Sequence, residues 1–326
     1  MSLTMKAAVI FEPGEPEVLK IVSRAIPQPL DNQVLIRVKA FGLNRSELFT
    51  RQGLSPTVTL PRIPGIEAVG IVEQVPGEQF VKGDVVATAM GGMGRDFDGG
   101  YAEFTCVPAC QVKKLKTNLN WEILGAIPEM FQTAWGSLFT SLGLEQGETL
   151  LIRGGTTSIG LAATAIAKSY GAIVAATTRK PEREKMLRDN GADEVFIDYG
   201  EVSKQVRNVF PRGVNKVLEL VGTTTLNDSL HCVARNGIVC MTGMVGNEWE
   251  FEVFSPMNAI PSTVSLTTYA GDVVDFVATP LQQLIDQVEN NALRIQLGRV
   301  FKLDEIVEAH WCMEMNQAGG KIVVLT

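Results

Sequence analysis

Histidine is scarce in this sequence, and cysteine follows no metal-binding pattern. The 326 residues include two histidines and five cysteines, and no two cysteines form a Cys-x-x-Cys pair. A catalytic zinc needs about three protein ligands and a structural zinc about four cysteines. We therefore expect no metal site, and we expect His231 and His310, which lie in helical patterns, to be packed or surface residues. An odd number of scattered cysteines argues against a disulfide framework and suits a reducing cytosol.

Excess basic charge and long apolar runs are also missing. Lys and Arg number 29 against 36 Asp and Glu, a net charge of −7 without a basic run, which argues against a nucleic-acid partner. No apolar stretch reaches the ~18–20 residues of a membrane span. The N-terminal residues lead directly into a strand-like segment and are too few for a signal peptide. We expect a cytoplasmic protein without a membrane partner.

The composition that remains is that of a globular protein, 45% hydrophobic and 20% charged, and the length suits about two domains. In segment 34–40, Val34, Ile36 and Val38 alternate with Arg37 and Lys39, which is the period of a half-buried strand. Further strands are predicted at 68–75, 85–88 and 102–107, with turn residues between them. The first ~110 residues therefore predict a barrel or sandwich.

Strand and helix patterns alternate in the second half of the chain. Strands are predicted at 149–152, 173–177, 194–197, 216–220, 237–241 and 264–268, and helices at 158–170, 181–190, 202–209 and 225–233. This alternation predicts right-handed βαβ units in a doubly wound parallel sheet. Two amphipathic helices follow, one with Leu281, Leu284 and Ile285 on its apolar stripe and one behind Asp304. A last strand is predicted at 321–325.

A glycine-containing turn joins the first of these strands to the first helix. Gly155 and Gly160 match the outer positions of G-x-G-x-x-G, and Thr157 stands at the middle one. Such a turn lets a dinucleotide pyrophosphate approach the amides of a helix N-terminus. The match is weak alone and gains strength from its place in the first βα unit. The predicted contacts are Gly155, Thr156, Thr157, Ser158, Ile159 and Gly160. A tight turn without a ligand is the alternative.

The end of the second strand indicates which coenzyme fits. An NAD-binding unit usually carries Asp or Glu about 20 residues after the turn. Here the sequence reads Thr177-Thr178-Arg179-Lys180, without a carboxylate. A carboxylate would repel a 2′-phosphate, whereas two cations could pair with one. We therefore predict that Thr178, Arg179 and Lys180 bind NADPH. Two solvated charges ahead of a helix are the alternative.

Five short motifs distributed over nearly the whole chain suggest a family. They are GLNRSE (42–47), PGIEAVG (64–70), GGYAE (99–103), QTAW (132–135) and GKIVV (320–324). In order and spacing they resemble the medium-chain dehydrogenase/reductase superfamily. The resemblance implies an α/β protein in which a Rossmann domain, residues 124–271, is inserted in a GroES-like β-barrel domain, residues 1–123 and 272–326. It also implies a substrate cleft between the two domains.

The zinc-dependent members of that superfamily use a Cys in the first motif and a His in Gly-His-Glu, where this chain has Asn44 and Ile66. The chain therefore looks like the zinc-independent quinone oxidoreductase (zeta-crystallin-like) branch. That likeness implies a catalytic Asn44 beside the nicotinamide. It also implies coenzyme contacts from Asn44, Thr133, Tyr199, Val221, Met244, Leu266 and Thr267. In this scheme Tyr199 flanks the adenosine 2′-phosphate, and Thr133 lies near the nicotinamide ribose. Asn44 as a simple turn residue is the alternative.

The chemistry implied is NADPH-dependent hydride transfer to a quinone or a similar activated carbonyl or alkene. Related enoyl-thioester reductases use a tyrosine shortly after the Asn motif, but this chain has Phe49 and Ser55 there. Reduction of a quinone does not require such a tyrosine, because the quinone oxygen can be protonated from solvent. We predict Asn44 and bound water as donors to the oxygen, and Glu47, Phe49 and Ser55 as substrate contacts. We expect Glu67 to be structural, for example in holding the segment of Arg51.

Two other functions remain open at this stage. One is the reduction of enals, enones or 2-enoyl thioesters, and the other is a catalytically weak NADPH-binding regulatory protein. Family resemblance also implies a homodimer that pairs sheet edges around 264–268. The sequence does not specify which small molecule is the electron acceptor, because the fold does not determine the substrate.

Overall fold

The computed structural model describes residues 3–77 and 79–326. Contacts divide the chain into two compact units. The first unit runs to Glu129 and resumes at Gly271–Glu289 and Leu297–Thr326, and the second comprises Met130–Ala270 and Asn290–Gln296. The sequence prediction placed the first boundary slightly earlier, after residue 123, and assigned 290–296 to the first domain.

Most strands lie close to their predicted positions. In chain order they are β1 (Thr4–Ile10), β2 (Leu19–Ala25), β3 (Gln33–Gly42), β4 (Glu67–Gln74), β5 (Val85–Ala89), β6 (Phe104–Pro108), β7 (Val112–Lys114), β8 (Thr149–Arg153), β9 (Ile173–Thr178), β10 (Glu194–Ile197), β11 (Val214–Glu219), β12 (Val233–Met241), β13 (Ser265–Thr268), β14 (Leu297–Lys302) and β15 (Lys321–Leu325). Three of them, β2, β7 and β14, were not predicted.

The helices vary more in length and type. They are α1 (Arg45–Arg51), α2 (Trp121–Leu124), α3 (Pro128–Trp135), α4 (Ser158–Ser169), α5 (Glu184–Asp189), α6 (Ser203–Val209), α7 (Thr223–Cys232), α8 (Pro256–Ala259), α9 (Val273–Ala278), α10 (Leu281–Glu289) and α11 (Ile306–Glu314). Short 3₁₀ turns occupy Pro16–Val18, Ala109–Gln111, Pro181–Arg183 and Leu303–Glu305, and a π-helical segment follows α3 at Gly136–Ser141.

The first unit is built on a mostly antiparallel sheet in the order β14-β15-β3-β4-β5-β7, with β6 paired to β3, while β1 and β2 form a separate hairpin pair. The predicted alternation in β3 is confirmed, because Val34, Ile36 and Val38 are buried while Arg37 is exposed. Together with β1, the inner faces of these strands form one apolar core. The expected GroES-like β-domain is confirmed.

The second unit is a parallel sheet in the order β10-β9-β8-β11-β12-β13. The predicted doubly wound Rossmann sheet is confirmed. Helix α4 forms where predicted because its apolar residues recur at helical spacing, and Ala163, Ile166 and Ala167 are fully buried. The carboxyl ends of parallel strands meet at one edge, which is where such sheets bind ligands.

Two predicted elements differ in detail. The helix predicted at 181–190 opens as a 3₁₀ turn, and α5 proper begins at Glu184. Strand β12 begins at Val233, where the prediction had the end of a helix, because Val233 already pairs with Val214 of β11. Tertiary pairing overrides local propensity at this position.

Tyr101 and His310 form a polar contact inside the core of the first unit. Both side chains are fully buried, and the Tyr101 hydroxyl lies 3.1 Å from Nε2 of His310. The Tyr101 ring also stacks on Phe41, with centroids 4.5 Å apart. Burial lowers the pKa of His310 to about 3, so the imidazole is neutral at physiological pH. The prediction that His310 is a packed residue is confirmed, and His231 is exposed at the end of α7.

Substituting Tyr101→Phe should lower the free energy of unfolding by about 1–3 kcal/mol, because it removes one partner of a buried polar contact. Urea unfolding followed by circular dichroism measures this change. Tyr170→Phe is the matched control, since Tyr170 is 41% exposed and should change stability little. Equal effects of the two substitutions would contradict the assignment.

Candidate active site and coenzyme-binding turn

The carboxylate of Glu47 holds the first motif, residues 42–47, in a turn. Asn44 precedes α1, and Glu47 lies in the first turn of that helix. Glu47 Oε2 accepts from the backbone N–H of Asn44 at 3.0 Å, and Oε1 accepts from the N–H of Ile66 at 2.9 Å. One buried carboxylate therefore joins the first motif to the second. Glu47 is 1% exposed and holds the turn, and its role as a substrate contact stays a prediction.

The amide of Asn44 is held between a cation and an anion. Lys321 Nζ donates to Asn44 Oδ1 at 2.5 Å, and Asn44 Nδ2 donates to Glu67 Oε1 at 2.9 Å. The second Nδ2 hydrogen faces Glu47 Oε1 at 3.5 Å, which is too long for a strong bond. These two charged partners leave a single orientation for the amide.

Lys321 lies inside the first unit, although lysine is rarely buried unless it is paired. Its side chain is 1% exposed, and Nζ lies 3.0 Å from Glu67 Oε1 and 3.4 Å from Glu129 Oε2. Burial alone would lower the pKa of Lys321, but the charges of Glu67 and Glu129 outweigh it and raise the pKa above its ordinary value. The cluster leaves no space beside Gly42, where a Cβ would collide with both Glu67 and Lys321.

Glu67 is structural, as expected, but its partners differ from the predicted ones. Besides Asn44 and Lys321, it accepts from the backbone N–H of Glu129 at 2.9 Å. Arg51, which it was expected to hold, instead donates to the Gly14 carbonyl and pairs with Glu314 at 2.7 Å. Glu129 and Lys321 are distant in sequence from the first motifs, so their proximity had no sequence signal.

The other predicted substrate contacts lie on or just after α1. Phe49 is half-buried on the helix. The Ser55 hydroxyl lies 3.0 Å from that of Thr50, and either can donate. Neither residue belongs to the Asn44–Lys321 cluster, and their roles as substrate contacts remain predictions.

The segment 154–160, which joins β8 to α4 and is called the phosphate-type turn below, has the tight geometry that the motif requires. Gly154 adopts a φ of +83°, and a Cβ on Gly155 would lie 2.9 Å from the Cβ of Ala176. A Cβ on Gly160 would lie 2.6 Å from the Gly154 carbonyl oxygen. Thr157, at the middle glycine position, is the N-cap of α4, since its Oγ1 accepts from Gly160 N at 3.0 Å. Substitution of the glycine by threonine therefore keeps the helix start intact.

The end of β9 is tied directly to this turn. Thr177 accepts from Gly154 N through its hydroxyl and from Gly155 N through its carbonyl, each at 3.1 Å. Thr178 Oγ1 accepts from Lys180 N at 3.1 Å, which shapes the following turn. Arg179 and Lys180 are exposed. Two cations therefore lie at the strand end that in such sheets receives the adenosine ribose.

Three of the remaining predicted coenzyme residues follow strands of the same sheet, and the others lie within β13 or on α3. Tyr199 follows β10 and is 81% exposed, Val221 follows β11, and Met244 follows β12. Leu266 and Thr267 lie within β13, opposite Val239 and Cys240. Thr133 is half-buried on α3. The coenzyme contacts of these residues stay predictions.

Sequence reasoning missed a buried carboxylate at the end of β11. Glu219 accepts from the N–H groups of Val221 at 2.6 Å and Gly222 at 3.1 Å, and from the hydroxyls of Thr225 and Ser229. Burial raises the pKa of Glu219 above its ordinary range. Glu219 thus shapes the loop that carries Val221. A Glu at the end of an apolar strand could have suggested this role.

Sequence reasoning also missed Arg153, the last residue of β8, which is fully buried. It adjoins the phosphate-type turn and pairs with Asp198 and Asp228. The prediction treated this strand only as an apolar segment leading into the glycines.

The arrangement fits a dinucleotide with a 2′-phosphate. A Cβ on Gly155 or Gly160 would collide with neighbouring protein atoms, so the tight turn requires glycine at both positions. The α4 N-terminus lies next to this turn and favours a pyrophosphate. Gly155–Gly160 would hold the pyrophosphate, and Arg179 with Lys180 would hold the 2′-phosphate.

Two further observations concern the described residues only. Within 3–77 and 79–326, none of the helices is long and apolar enough to cross a membrane. The same residues contain no group of three or more His, Cys, Asp or Glu that could hold a metal ion.

Comparison with known proteins gives consistent relatives over the whole chain. A family described as alcohol dehydrogenase GroES-like domain matches residues 30–117, and one described as zinc-binding dehydrogenase matches residues 190–324. The chain is 32% identical to the quinone oxidoreductases of Pongo abelii and Homo sapiens, each over 332 residues that cover 98% of this chain and 98% of the relative. The structure of mycobacterial Rv1454c complexed with NADPH superposes with a TM-score of 0.87 at 28% identity, covering 99% of this chain and 100% of that one.

The buried carboxyl of Glu47 should make stability depend on pH. Burial and the neighbouring Glu67 raise its pKa from 4.5 to about 7. Between those values the folded state retains a proton that the unfolded state has lost, so stability falls as pH rises through this window. Glu47→Gln removes this dependence. The free energy of unfolding of the wild type should therefore fall relative to the variant by about 3 kcal/mol from pH 4.5 to pH 7.5.

Denaturant unfolding of both proteins across this pH range measures the difference. The lowered pKa of His310 makes stability rise with pH, opposite to the effect of Glu47. Because both proteins contain His310, its contribution cancels when their free energies of unfolding are subtracted. Glu12→Gln, at an exposed position, is the control and should follow the wild-type curve. Parallel curves for the wild type and Glu47→Gln would show that Glu47 is ionised throughout.

Proposed function

The chain belongs to the quinone oxidoreductase branch of the medium-chain dehydrogenase/reductase superfamily, and from that premise we propose that it is a zinc-independent, NADPH-dependent reductase of quinones. The observation that carries the coenzyme assignment is the end of β9. Arg179 and Lys180 are exposed there, beside the phosphate-type turn, where an NAD-binding unit would have a carboxylate. The solved NADPH complex of mycobacterial Rv1454c supports the same coenzyme.

Each part of the second unit has a separate task in binding the coenzyme. The turn from Gly155 to Gly160 binds the pyrophosphate through backbone N–H groups, and its glycines allow the turn to pack closely against β9 and the start of α4. Thr178, Arg179 and Lys180 bind the 2′-phosphate, with the guanidinium able to donate two parallel bonds. Glu219 holds the loop of Val221 for the nicotinamide half.

The bound NADPH supplies two electrons and one hydrogen as hydride, and one proton from water completes reduction of the quinone to hydroquinone. Asn44 binds the quinone oxygen through the amide hydrogen that makes only the long 3.5 Å contact with Glu47. Lys321 polarises this amide by donating to its oxygen, which makes the N–H a better donor. The ordered donor offsets negative charge that develops on the quinone oxygen.

The proposed zinc independence rests on the residues at the metal positions of the family. Asn44 and Ile66 stand where zinc-dependent members have Cys and His. Asn44 is committed to Lys321 and Glu67, and the Ile66 side chain is an apolar group without a lone pair. Substrate oxygen is therefore bound by hydrogen bonds.

A homodimer through β13, an edge strand of the sheet, is retained as part of the proposal.

The double substitution Arg179→Ala/Lys180→Ala should weaken NADPH binding about tenfold or more while changing NADH binding little, because only NADPH carries the phosphate that these cations bind. Dissociation constants from coenzyme fluorescence titration measure this difference. Lys185→Ala is the matched control, since Lys185 is an exposed cation on the next helix, paired with Asp189. Equal weakening of both coenzymes would overturn the assignment of the 2′-phosphate site.

Purified protein in metal-chelating buffer should oxidise NADPH with a small o-quinone, and elemental analysis should find far less than one zinc per chain. Chelation should not lower the rate, because the oxygen is bound by Asn44 and water. Loss of activity on chelation, restored by zinc, would refute zinc independence. Turnover of enones or enoyl thioesters in place of quinones would favour the alternative reductase. Tight NADPH binding without turnover of any acceptor would favour a regulatory protein.

A further inference from the structure

We propose that Arg153 is a positioning residue for coenzyme binding, which holds the loop of Tyr199 against the adenosine end of the site. This inference rests on the proposed NADPH site and goes beyond it, since Arg153 lies inside the unit and would not touch the coenzyme. Its evidence is the set of contacts made by one buried guanidinium.

The guanidinium of Arg153 bridges three elements. Its Nε and Nη2 donate to the two carboxylate oxygens of Asp198, at 2.7 and 3.0 Å, in the bidentate arrangement. Nη2 also donates to the Gly200 carbonyl at 2.8 Å. Nη1 donates to Asp228 Oδ2 at 2.6 Å and lies 3.3 Å from the hydroxyl of Ser229. Five contacts thus join the end of β8 to the loop after β10 and to helix α7.

These contacts hold the Tyr199 loop on both sides. Asp198 precedes Tyr199 and Gly200 follows it, and both are bound by the same guanidinium. Asp198 Oδ1 also accepts from Gly200 N at 2.8 Å, which closes a tight turn around Tyr199. Asp228 extends the support, because it accepts from Val202 N at 2.7 Å. The backbone of the loop is fixed, while the Tyr199 side chain remains 81% exposed.

The fixed loop lies beside the cations proposed to bind the 2′-phosphate. Ile197 pairs with Thr178 in the parallel sheet, and Asp198 N donates to the Thr178 carbonyl at 2.8 Å. Tyr199 therefore projects from the strand end adjacent to Arg179 and Lys180. An exposed aromatic ring at that place can pack on the adenosine with its polar tip toward the phosphate.

A guanidinium suits this task for a physical reason. A buried cation is costly unless it is fully paired, and here two carboxylates and a carbonyl satisfy it. Lysine would carry the same charge but lacks the planar fork that spans Asp198, Gly200 and Asp228 together. Substituting Arg153→Lys therefore keeps a buried cation and removes the bridge.

A double-mutant cycle with Tyr199→Ala separates positioning from general stability. NADPH dissociation constants are measured for the wild type, Arg153→Lys, Tyr199→Ala and the double variant. Each single substitution should weaken binding roughly fivefold, the size of one aromatic contact. In the Tyr199→Ala background, Arg153→Lys should change binding by less than about twofold, because the ring it positions is absent.

Arg51→Lys is the matched control. Arg51 is a fully buried arginine of the first unit, paired with Glu314, and its substitution should leave NADPH binding unchanged. Chymotrypsin gives a second readout that does not need the coenzyme. Cleavage after Tyr199 should be at least several-fold faster in Arg153→Lys, because the loop is released, while other sites are cut at the wild-type rate.

The outcomes distinguish failure of the proposed function from failure of the proposed role of Arg153. A wild type that fails to bind NADPH refutes the proposed function and with it this inference. Normal NADPH binding by the wild type, combined with equal effects of Arg153→Lys in both Tyr199 backgrounds and unchanged cleavage after Tyr199, refutes only the role of Arg153. If Arg153→Lys does not fold, Asp228→Asn removes one arm of the bridge, and the same coupling to Tyr199 and the same cleavage are expected.

Discussion

A charge that is taken out of water must be neutralised where it lies, and both units are organised around such a charge. Lys321 in the first unit and Arg153 in the second are almost completely buried. Each is paired with two carboxylates that reach it from other elements. Because neither cation can move without exposing an unpaired charge, the loops that pair with it are held in place.

In the first unit this constraint reaches the residue proposed to bind substrate. Lys321 sets the orientation of the Asn44 amide by donating to its oxygen, and Glu67 accepts the hydrogen bond from Asn44 Nδ2. Glu47 then fixes the backbone of Asn44 and joins it to Ile66. An ammonium group and carboxylates thus organise this segment of the chain. The donor proposed for the quinone oxygen is thereby ordered before substrate binds, which lowers the reorganisation that the proposed reaction needs.

In the second unit the same principle acts on the coenzyme edge of the sheet. The turn after β8 needs glycine for its close packing, and Thr157, at the middle glycine position of the motif, caps α4. Thr177 binds that turn to the end of β9. Arg153 binds the end of β8 to the loop after β10. The three strand ends are therefore one connected structure, and the residues proposed for phosphate and adenosine share it.

The sequence by itself determined the fold class, most strand positions and the phosphate-type turn, because these depend on local patterns such as the alternation in β3 and the spacing of Gly155 and Gly160. It also determined the lack of a carboxylate beside Arg179. Only the tertiary structure showed that Glu47 is a buried support and that Glu67 pairs with Lys321 instead of holding Arg51. Only the structure, too, brought Arg153 to Asp198 and Asp228. These pairings join residues that are far apart along the chain. A charged residue in a sequence carries no sign of its partner until folding removes both from water.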